Sequence, residues 1–189
     1  MKAGLTAERL TQAGAELADE IGFDRVTPSE LARRFGVKPA SLYAHVKGAE
    51  DLKVRIALLA LTESADLVGA ALAGRSGKEA LTAFADAHRD YALRHPGRFA
   101  ATRHRLDPAT AAASAGPRHA ELTRAVLRGY DLPEAHHTAA VRLLGSVFSG
   151  YVGLETAGGF DHSPPAPQQT WNEIVDALDV LLRNWPTGP

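Results

Sequence analysis

The fold is decided by the twenty residues from Thr27 to Val46, which read TPSELARRFGVKPASLYAHV. The stretch opens with a capping box, Thr27 to Glu30, that has a proline at the first helical position and so predicts a helix start. Gly36 predicts the end of that helix after about two turns, because glycine adopts a left-handed backbone at almost no cost. A further short helix is expected from Pro39 to about His45. The pattern therefore predicts two short helices joined by a tight turn.

Three residues of this segment have the spacing that two closely crossing helices need. Ala32 supplies a small side chain at the crossing, Gly36 supplies the turn, and Leu42 is placed to pack beneath the second helix. This is the spacing of a helix-turn-helix motif, whose second helix enters the major groove of DNA. An ordinary corner between two helices in an alanine-rich protein has the same spacing, so this pattern alone leaves both interpretations open.

Local charge favours the nucleic-acid interpretation. The chain has 21 Lys and Arg against 22 Asp and Glu, for a net charge of -1, so a site for nucleic acid has to be a local patch. The segment from Thr27 to Ala49 is such a patch, because a single acid, Glu30, is opposed by Arg33, Arg34, Lys38 and Lys47. The hydroxyl groups of Thr27, Ser41 and Tyr43 are of the kind that binds phosphate.

The composition of the whole chain predicts an all-α fold. Ala and Leu together supply 58 of the 189 residues and the β-branched Val and Ile only 14, and Ala and Leu lose less freedom in a helix. We expect about nine helices, three of them in an N-terminal domain over residues 1–48 and six in a C-terminal domain over residues 49–189. Capping and stop signals place the better defined ones at Ala7 to Ile21, Ala49 to Leu72, Gly77 to Arg94, Arg118 to Arg128, Asp131 to Thr156 and Thr170 to Asn184.

Several classes of protein are excluded or disfavoured. The absence of Cys removes disulfides, iron–sulfur clusters and thiol catalysis. The longest uncharged run, Leu143 to Leu154, is shorter than the roughly 20 residues of a membrane-spanning helix, and no signal peptide is evident, so we expect a cytoplasmic protein. His136 and His137 are adjacent and diverge on a helix, and the Gly-Lys pair at Gly77 and Lys78 lacks the other residues of a phosphate loop. We expect no metal, no cofactor and no enzymatic activity.

Two stretches, Val26 to Ala32 and Gly36 to Val46, resemble the TetR family of bacterial one-component regulators, in which Leu-Tyr-x-His followed by an apolar residue is typical of the recognition helix. The resemblance implies that Thr27 and Tyr43 contact phosphate and that His45 packs against Tyr43 and orients it. It also implies that the base edges are faced by Lys38, Pro39, Ala40 and Ser41. Where the family usually has a phosphate-binding lysine this chain has Ala49, and Lys47 is the candidate replacement.

The C-terminal part resembles a common variety of that family, often marked by Trp-His-Gly, over Tyr91 to Phe99 and Gly150 to Phe160. Here the mark reads Phe148-Ser149-Gly150. The resemblance implies that this domain binds a small effector and forms a dimer.

The residues themselves also favour a dimer, because nine of the fifteen positions from Trp171 to Trp185 are hydrophobic and such a helix needs cover on two sides. A buried central helix in a monomer is the alternative. The candidate interface residues are Val141, Leu144, Ile174, Leu178, Leu181 and Trp185.

An effector pocket is predicted around aromatic residues that share one face of the fifth predicted helix. These are Phe84, His88 and Tyr91, and the residues expected to face them are Phe99, His104, Phe148 and Tyr151. An apolar cavity with a few polar groups suits a small molecule, and the lack of a charge cluster indicates a hydrophobic or aromatic effector. Taken singly, a residue of this kind is more often ordinary core than a ligand contact.

The sequence therefore predicts a ligand-responsive transcriptional regulator, most often a repressor, that binds double-stranded DNA as a homodimer and leaves a palindromic operator when a small molecule binds. The expected partners are DNA, a small-molecule effector and a second copy of the chain, with no membrane. The alternatives are an architectural or cell-division DNA-binding protein of the same fold without an effector, and an all-α enzyme.

Overall fold

The computed structural model describes residues 5–186. Within that range the chain is all-helical, as predicted, with nine α-helices, two short 3-10 turns and no β-strand. The helices are α1 (Ala7–Ile21), α2 (Pro28–Phe35), α3 (Ala49–Leu72), α4 (Gly77–Arg94), α5 (Pro96–Ala101), α6 (Pro108–Ala113), α7 (Gly116–Leu127), α8 (Glu134–Thr156) and α9 (Pro167–Arg183), and the 3-10 turns are Phe23–Arg25 and Pro39–Ser41. None of the helices in the described range is long and apolar enough to cross a lipid bilayer.

The N-terminal helix boundaries follow the capping signals. The Thr6 hydroxyl oxygen accepts a hydrogen bond from the Arg9 amide at 3.2 Å, and the Thr27 oxygen accepts one from the Glu30 amide at 3.1 Å. Gly36 ends α2 with a left-handed φ of 64°, as its place after a short helix predicts.

Two predictions of local structure are wrong. The segment from Pro39 to His45 is a 3-10 turn over Pro39–Ser41 followed by hydrogen-bonded turns, not an α-helix. So short a segment forms too few i to i+4 bonds to offset the cost of starting an α-helix, whereas i to i+3 bonds close within it. Helix α9 begins at Pro167 instead of Thr170, because proline is well suited to the first turn of a helix.

The described chain divides into two compact units. The first comprises residues 5–64 and 94–116, and the second comprises residues 65–93 and 117–186. The core of the first unit is formed by fully buried side chains of α1, α2, the 39–46 turn and α3, including Leu10, Leu31, Leu42, Leu52 and Ile56. Helix α5 also belongs to this unit, although it lies far along the chain, and its Ala101 is part of the same core.

Helix α5 is held against α1 by a close backbone approach and by charge. A Cβ atom on Gly97 would lie 2.0 Å from the carbonyl oxygen of Ala18, so only glycine fits there. The Arg98 amide donates to the Asp19 carboxylate at 2.9 Å, and the Arg98 guanidinium lies 3.1 Å from Asp19 and 3.2 Å from Glu63. The first unit is therefore tied together by contacts between distant parts of the sequence.

In the second unit a buried arginine joins three helices. The Arg89 guanidinium donates to both carboxylate oxygens of Glu155, at 2.8 and 2.6 Å, and to the side-chain oxygen of Gln168 at 2.5 Å. Its charged group also lies 5.6 Å from the centre of the Trp171 ring. Because Arg89 is only 8% exposed, these contacts satisfy a charge that water scarcely reaches.

Candidate nucleic-acid interface

The 39–46 turn is anchored by one face and presents the other to solvent. Leu42 and Val46 are at most 1% exposed and pack in the core of the first unit with Ala32. The four residues Lys38, Pro39, Ala40 and Ser41 are all exposed. Tyr43, which follows the buried Leu42, is 58% exposed. The turn thus displays a row of side chains on a rigid support.

Backbone hydrogen bonds fix the approach to this turn. The Val37 amide donates to the Ala32 carbonyl at 3.1 Å across the left-handed Gly36, which sets the angle at which the chain leaves α2. The Val46 amide donates to the Leu42 carbonyl at 3.0 Å and closes the turn. Between them, His45 is half-buried and Tyr43 is exposed.

The local positive charge is smaller in the structure than in the sequence. Arg33 donates to Glu30 at 2.5 Å, and Arg34 donates to Glu20 at 2.6 Å and to Glu16 at 3.2 Å. These arginines are therefore neutralised by their own unit, two of the acids being contributed by α1. Lys38 is exposed and, within residues 5–186, has no ion-pair partner.

The position where the family usually has lysine is the start of α3. Here the Asp51 carboxylate accepts a hydrogen bond from the Lys47 amide at 2.9 Å and another from Arg55 at 3.1 Å. Burial acts to raise the pKa of Asp51, but these two donors outweigh it and hold the pKa below its ordinary value. The Lys47 amide is thus engaged within the fold, and only its exposed ammonium is left to reach a phosphate.

The matches to known proteins agree with this geometry. Residues 10–53 match the family model for bacterial regulatory proteins of the tetR family, and residues 81–178 match the model for the tetracyclin repressor-like C-terminal domain. The chain belongs to the TetR family. It is 34% identical over 163 residues to the uncharacterized HTH-type transcriptional regulator Rv0681 of Mycobacterium tuberculosis, a match that covers 84% of this chain and 74% of the relative.

Two further matches extend over nearly the whole chain. The uncharacterized HTH-type transcriptional regulator YobS of Bacillus subtilis is 24% identical over 185 residues, covering 98% of this chain and 93% of the relative. The crystal structure of the TetR family transcriptional regulator PfmR from Thermus thermophilus has a TM-score of 0.67 at 24% identity, covering 99% of this chain and all of that one. The predicted family and all-α fold are confirmed, and the protein is a TetR-type helix-turn-helix transcriptional regulator.

Some of the residues predicted to line an effector pocket lie together in one aromatic cluster of the second unit. The ring of His88 lies 4.5 Å from Phe84 and 6.5 Å from Phe148, measured between ring centres. Tyr151 is linked to Phe148 through Trp171, whose ring lies 5.1 Å from Tyr151 and 5.5 Å from Phe148. Trp171 was not among the predicted pocket residues, although it could have been found as the aromatic residue that begins the apolar face of α9.

The other predicted pocket residues are placed differently. Tyr91 is 2% exposed in the second unit, whereas Phe99 and His104 belong to the first unit. There the Arg103 guanidinium lies 5.0 Å from the centre of the Phe99 ring. His104 packs edge-on against Phe23 at 5.5 Å, and its Nε2 lies 2.9 Å from a carboxylate oxygen of Glu50. The contacts described for these two side chains are thus made beside the DNA-binding helices.

The candidate dimer face of this TetR chain needs a correction. Leu144 is fully buried and Leu178 is 6% exposed, so both are core residues of their own chain and have almost no surface to offer a partner. Sequence periodicity does not distinguish the two sides of a helix that is apolar around most of its circumference. Among the other candidates Leu181 is 37% exposed, and Val141, Ile174 and Trp185 are half-buried.

The structure adds two exposed apolar residues to these helices, Val180 on α9 at 60% and Leu154 on α8 at 56%.

The adjacent histidines of α8 make separate contacts, since the ring of His136 lies 6.3 Å from the Trp185 ring and His137 hydrogen-bonds the Leu132 carbonyl at 3.0 Å. No group of three or more potential metal ligands occurs between residues 5 and 186.

Proposed function

We propose that this TetR-family regulator is a homodimeric repressor that binds a palindromic operator and is released by a small hydrophobic or aromatic effector. The first unit would bind DNA, and the second would bind the effector and dimerise. The observation that carries the proposal is that Lys38, Pro39, Ala40, Ser41 and Tyr43 are all exposed on a turn anchored by the buried Leu42 and Val46. The protein would act by binding alone, without catalysis, in the cytoplasm, where a bacterial operator is found.

A dimer is part of the proposal because each chain offers only a short reading segment. Pro39 has no amide proton and Ala40 has no polar side chain, so base contacts by hydrogen bonding fall to Lys38 and Ser41. A second copy placed about 34 Å away along the duplex would double these contacts in the next major groove. The exposed apolar residues Val180 and Leu181 on α9 supply a surface for that association.

The DNA-binding proposal predicts a division of roles within the turn. Tyr43→Ala should weaken binding to every duplex by about tenfold or more, because it removes a backbone contact, while Lys38→Ala and Ser41→Ala should change which bases are preferred. The operator would first be found by sequencing genomic fragments that the purified protein retains. Affinities for the operator and for base-substituted duplexes would then be measured by fluorescence anisotropy.

The matched control is Tyr43→Phe, which keeps the ring and removes only the hydroxyl group. If that group binds phosphate, Tyr43→Phe should lose most of the affinity that Tyr43→Ala loses. Equal losses on all duplexes for the Tyr43, Lys38 and Ser41 variants would contradict the division of roles. Spreading over long DNA without a short preferred site would favour the architectural alternative.

The dimer proposal predicts that charge on the exposed face of α9 separates the subunits. The double variant Val180→Glu with Leu181→Glu should be monomeric by analytical ultracentrifugation and should bind the operator at least tenfold more weakly, since it loses the second half-site. Leu93→Glu is the control, because Leu93 is a comparably exposed apolar residue, at 44%, on a different helix, α4. A double variant that remains dimeric would contradict the proposed interface.

A further inference from the structure

His88 is a polar side chain set among aromatic rings of the second unit. Besides Phe84 and Phe148, the ring of His119 on α7 lies near it, with 5.7 Å between the ring centres. Helices α4, α7 and α8 therefore converge on this one imidazole. The nearby arginine on the same helix, Arg89, is engaged by Glu155 and Gln168, so it does not supply this cluster with a free cation.

The protonation of His88 follows from its hydrogen bond. Its Nδ1 lies 2.9 Å from the backbone carbonyl oxygen of Phe84. A carbonyl oxygen can only accept, so Nδ1 carries the proton, and in the neutral ring Nε2 is left with a lone pair. Burial, assisted by the neighbouring His119, lowers the pKa of His88 to about 4. At neutral pH the group is therefore an uncharged hydrogen-bond acceptor.

The acceptor is not fully sealed within the fold. Within residues 5–186 Nε2 has no hydrogen-bond partner, yet it is not among the polar atoms that the fold seals off from solvent. His88 as a whole keeps part of its surface accessible. His88 is thus largely withdrawn from water but still partly accessible, with the rings of Phe84 and Phe148 beside it.

We propose that His88 is the polar centre of the effector site and that its Nε2 accepts a hydrogen bond from an uncharged aromatic donor of the phenol class. The inference rests on the proposed effector response and names the chemistry of that site. An aromatic ring would enter beside Phe84 and Phe148, which are 3% and 2% exposed, so these two rings would have to shift to admit it. A ligand without a donor would leave Nε2 desolvated and unpaired, and a carboxylate would meet an acceptor instead of a cation.

The test uses three naphthalene probes of one size: 2-naphthol, its methyl ether, and 2-naphthoate. Binding to the full chain without DNA is measured by titration calorimetry at pH 7.5. We expect naphthol to bind about tenfold or more tightly than the other two probes. His88→Phe keeps an aromatic ring and removes the acceptor, so the affinities for the three probes should then differ from one another by no more than roughly twofold. His136→Phe, the same substitution near the start of α8 and beside Trp185, should leave the preference unchanged.

A preference for naphthol that persists in His88→Phe, or its absence in the native protein, overturns the inference. Nitrogen NMR of the native protein supplies a readout that does not depend on the variant folding. At pH 6 we expect the His88 signals of a neutral ring protonated at Nδ1, and we expect the Nε2 signal to shift when naphthol is added. A charged ring, or a proton on Nε2, overturns the assignment. Operator binding is measured separately, so a protein that prefers naphthol but binds no DNA refutes the proposed function and leaves the His88 site standing.

Discussion

Gly97→Ala is expected to lower the free energy of unfolding by about 3 kcal/mol, which would be among the largest effects of any single substitution in the first unit. The added Cβ would lie 2.0 Å from the Ala18 carbonyl oxygen and 2.5 Å from the Asp19 amide nitrogen. Both are backbone atoms of a helix and cannot rotate away. Helix α5 would have to move off α1, and this would break the hydrogen bond from the Arg98 amide to Asp19.

The measurement is urea unfolding followed by far-ultraviolet circular dichroism. Gly69→Ala is the matched control, since its Cβ would lie 3.3 Å from the end of the Arg118 side chain, which can move, and in ordinary contact with Leu122 at 3.8 Å. Alanine is a better helix former than glycine, so this control should be neutral or slightly stabilising. Equal stability of Gly97→Ala and the native protein would show that α5 does not pack on α1 as described.

Arg89→Met is expected to destabilise the second unit by roughly 3 kcal/mol, because it leaves the Glu155 carboxylate buried without its cation. The side chain of Glu155 is only 11% exposed, so water cannot replace the two hydrogen bonds that it loses. Tryptophan fluorescence should report the change directly, as the chain's two tryptophans both lie in this unit and Trp171 is beside the guanidinium.

The double variant Arg89→Met with Glu155→Leu separates a lost charge pair from lost packing. It should recover much of the stability, since a buried ion pair replaced by apolar side chains of similar volume is often close to neutral. The control is the exposed pair of Lys78 and Asp176, which are 2.8 Å apart with side chains 49% and 62% exposed. Lys78→Met should hardly move the urea midpoint. A double variant no more stable than Arg89→Met would contradict the ion-pair explanation.

Local signals in the sequence were sufficient to predict most helix boundaries and the exposed face of the 39–46 turn. Thr27 and Gly36 act on neighbours within a few residues, so their consequences can be derived without knowing the rest of the fold. The alternation that buries Leu42 and exposes Tyr43 is likewise local. These features also led to the correct family.

Contacts between distant residues could not be derived in this way. Arg89 and Glu155 are 66 positions apart, and nothing near either residue indicates the other. The same holds for His104, which shares aromatic character with the pocket residues but packs against Phe23 in the first unit. Leu144 was assigned to the interface because it is hydrophobic. Hydrophobicity alone does not show whether a side chain is covered by the core of its own chain or by a partner chain.

The close fit of Gly97 on Ala18 has a consequence for how this protein can be dissected or recombined. A fragment that stops at residue 64 would contain every residue of the 39–46 turn but would lack α5, the helix that covers one side of α1. It would also lack the Arg98 guanidinium, which neutralises Asp19 and Glu63. Such a fragment should be poorly folded on its own. A chimera that joins the 39–46 turn and its supporting helices to another effector domain would therefore have to carry residues 94–116 as well.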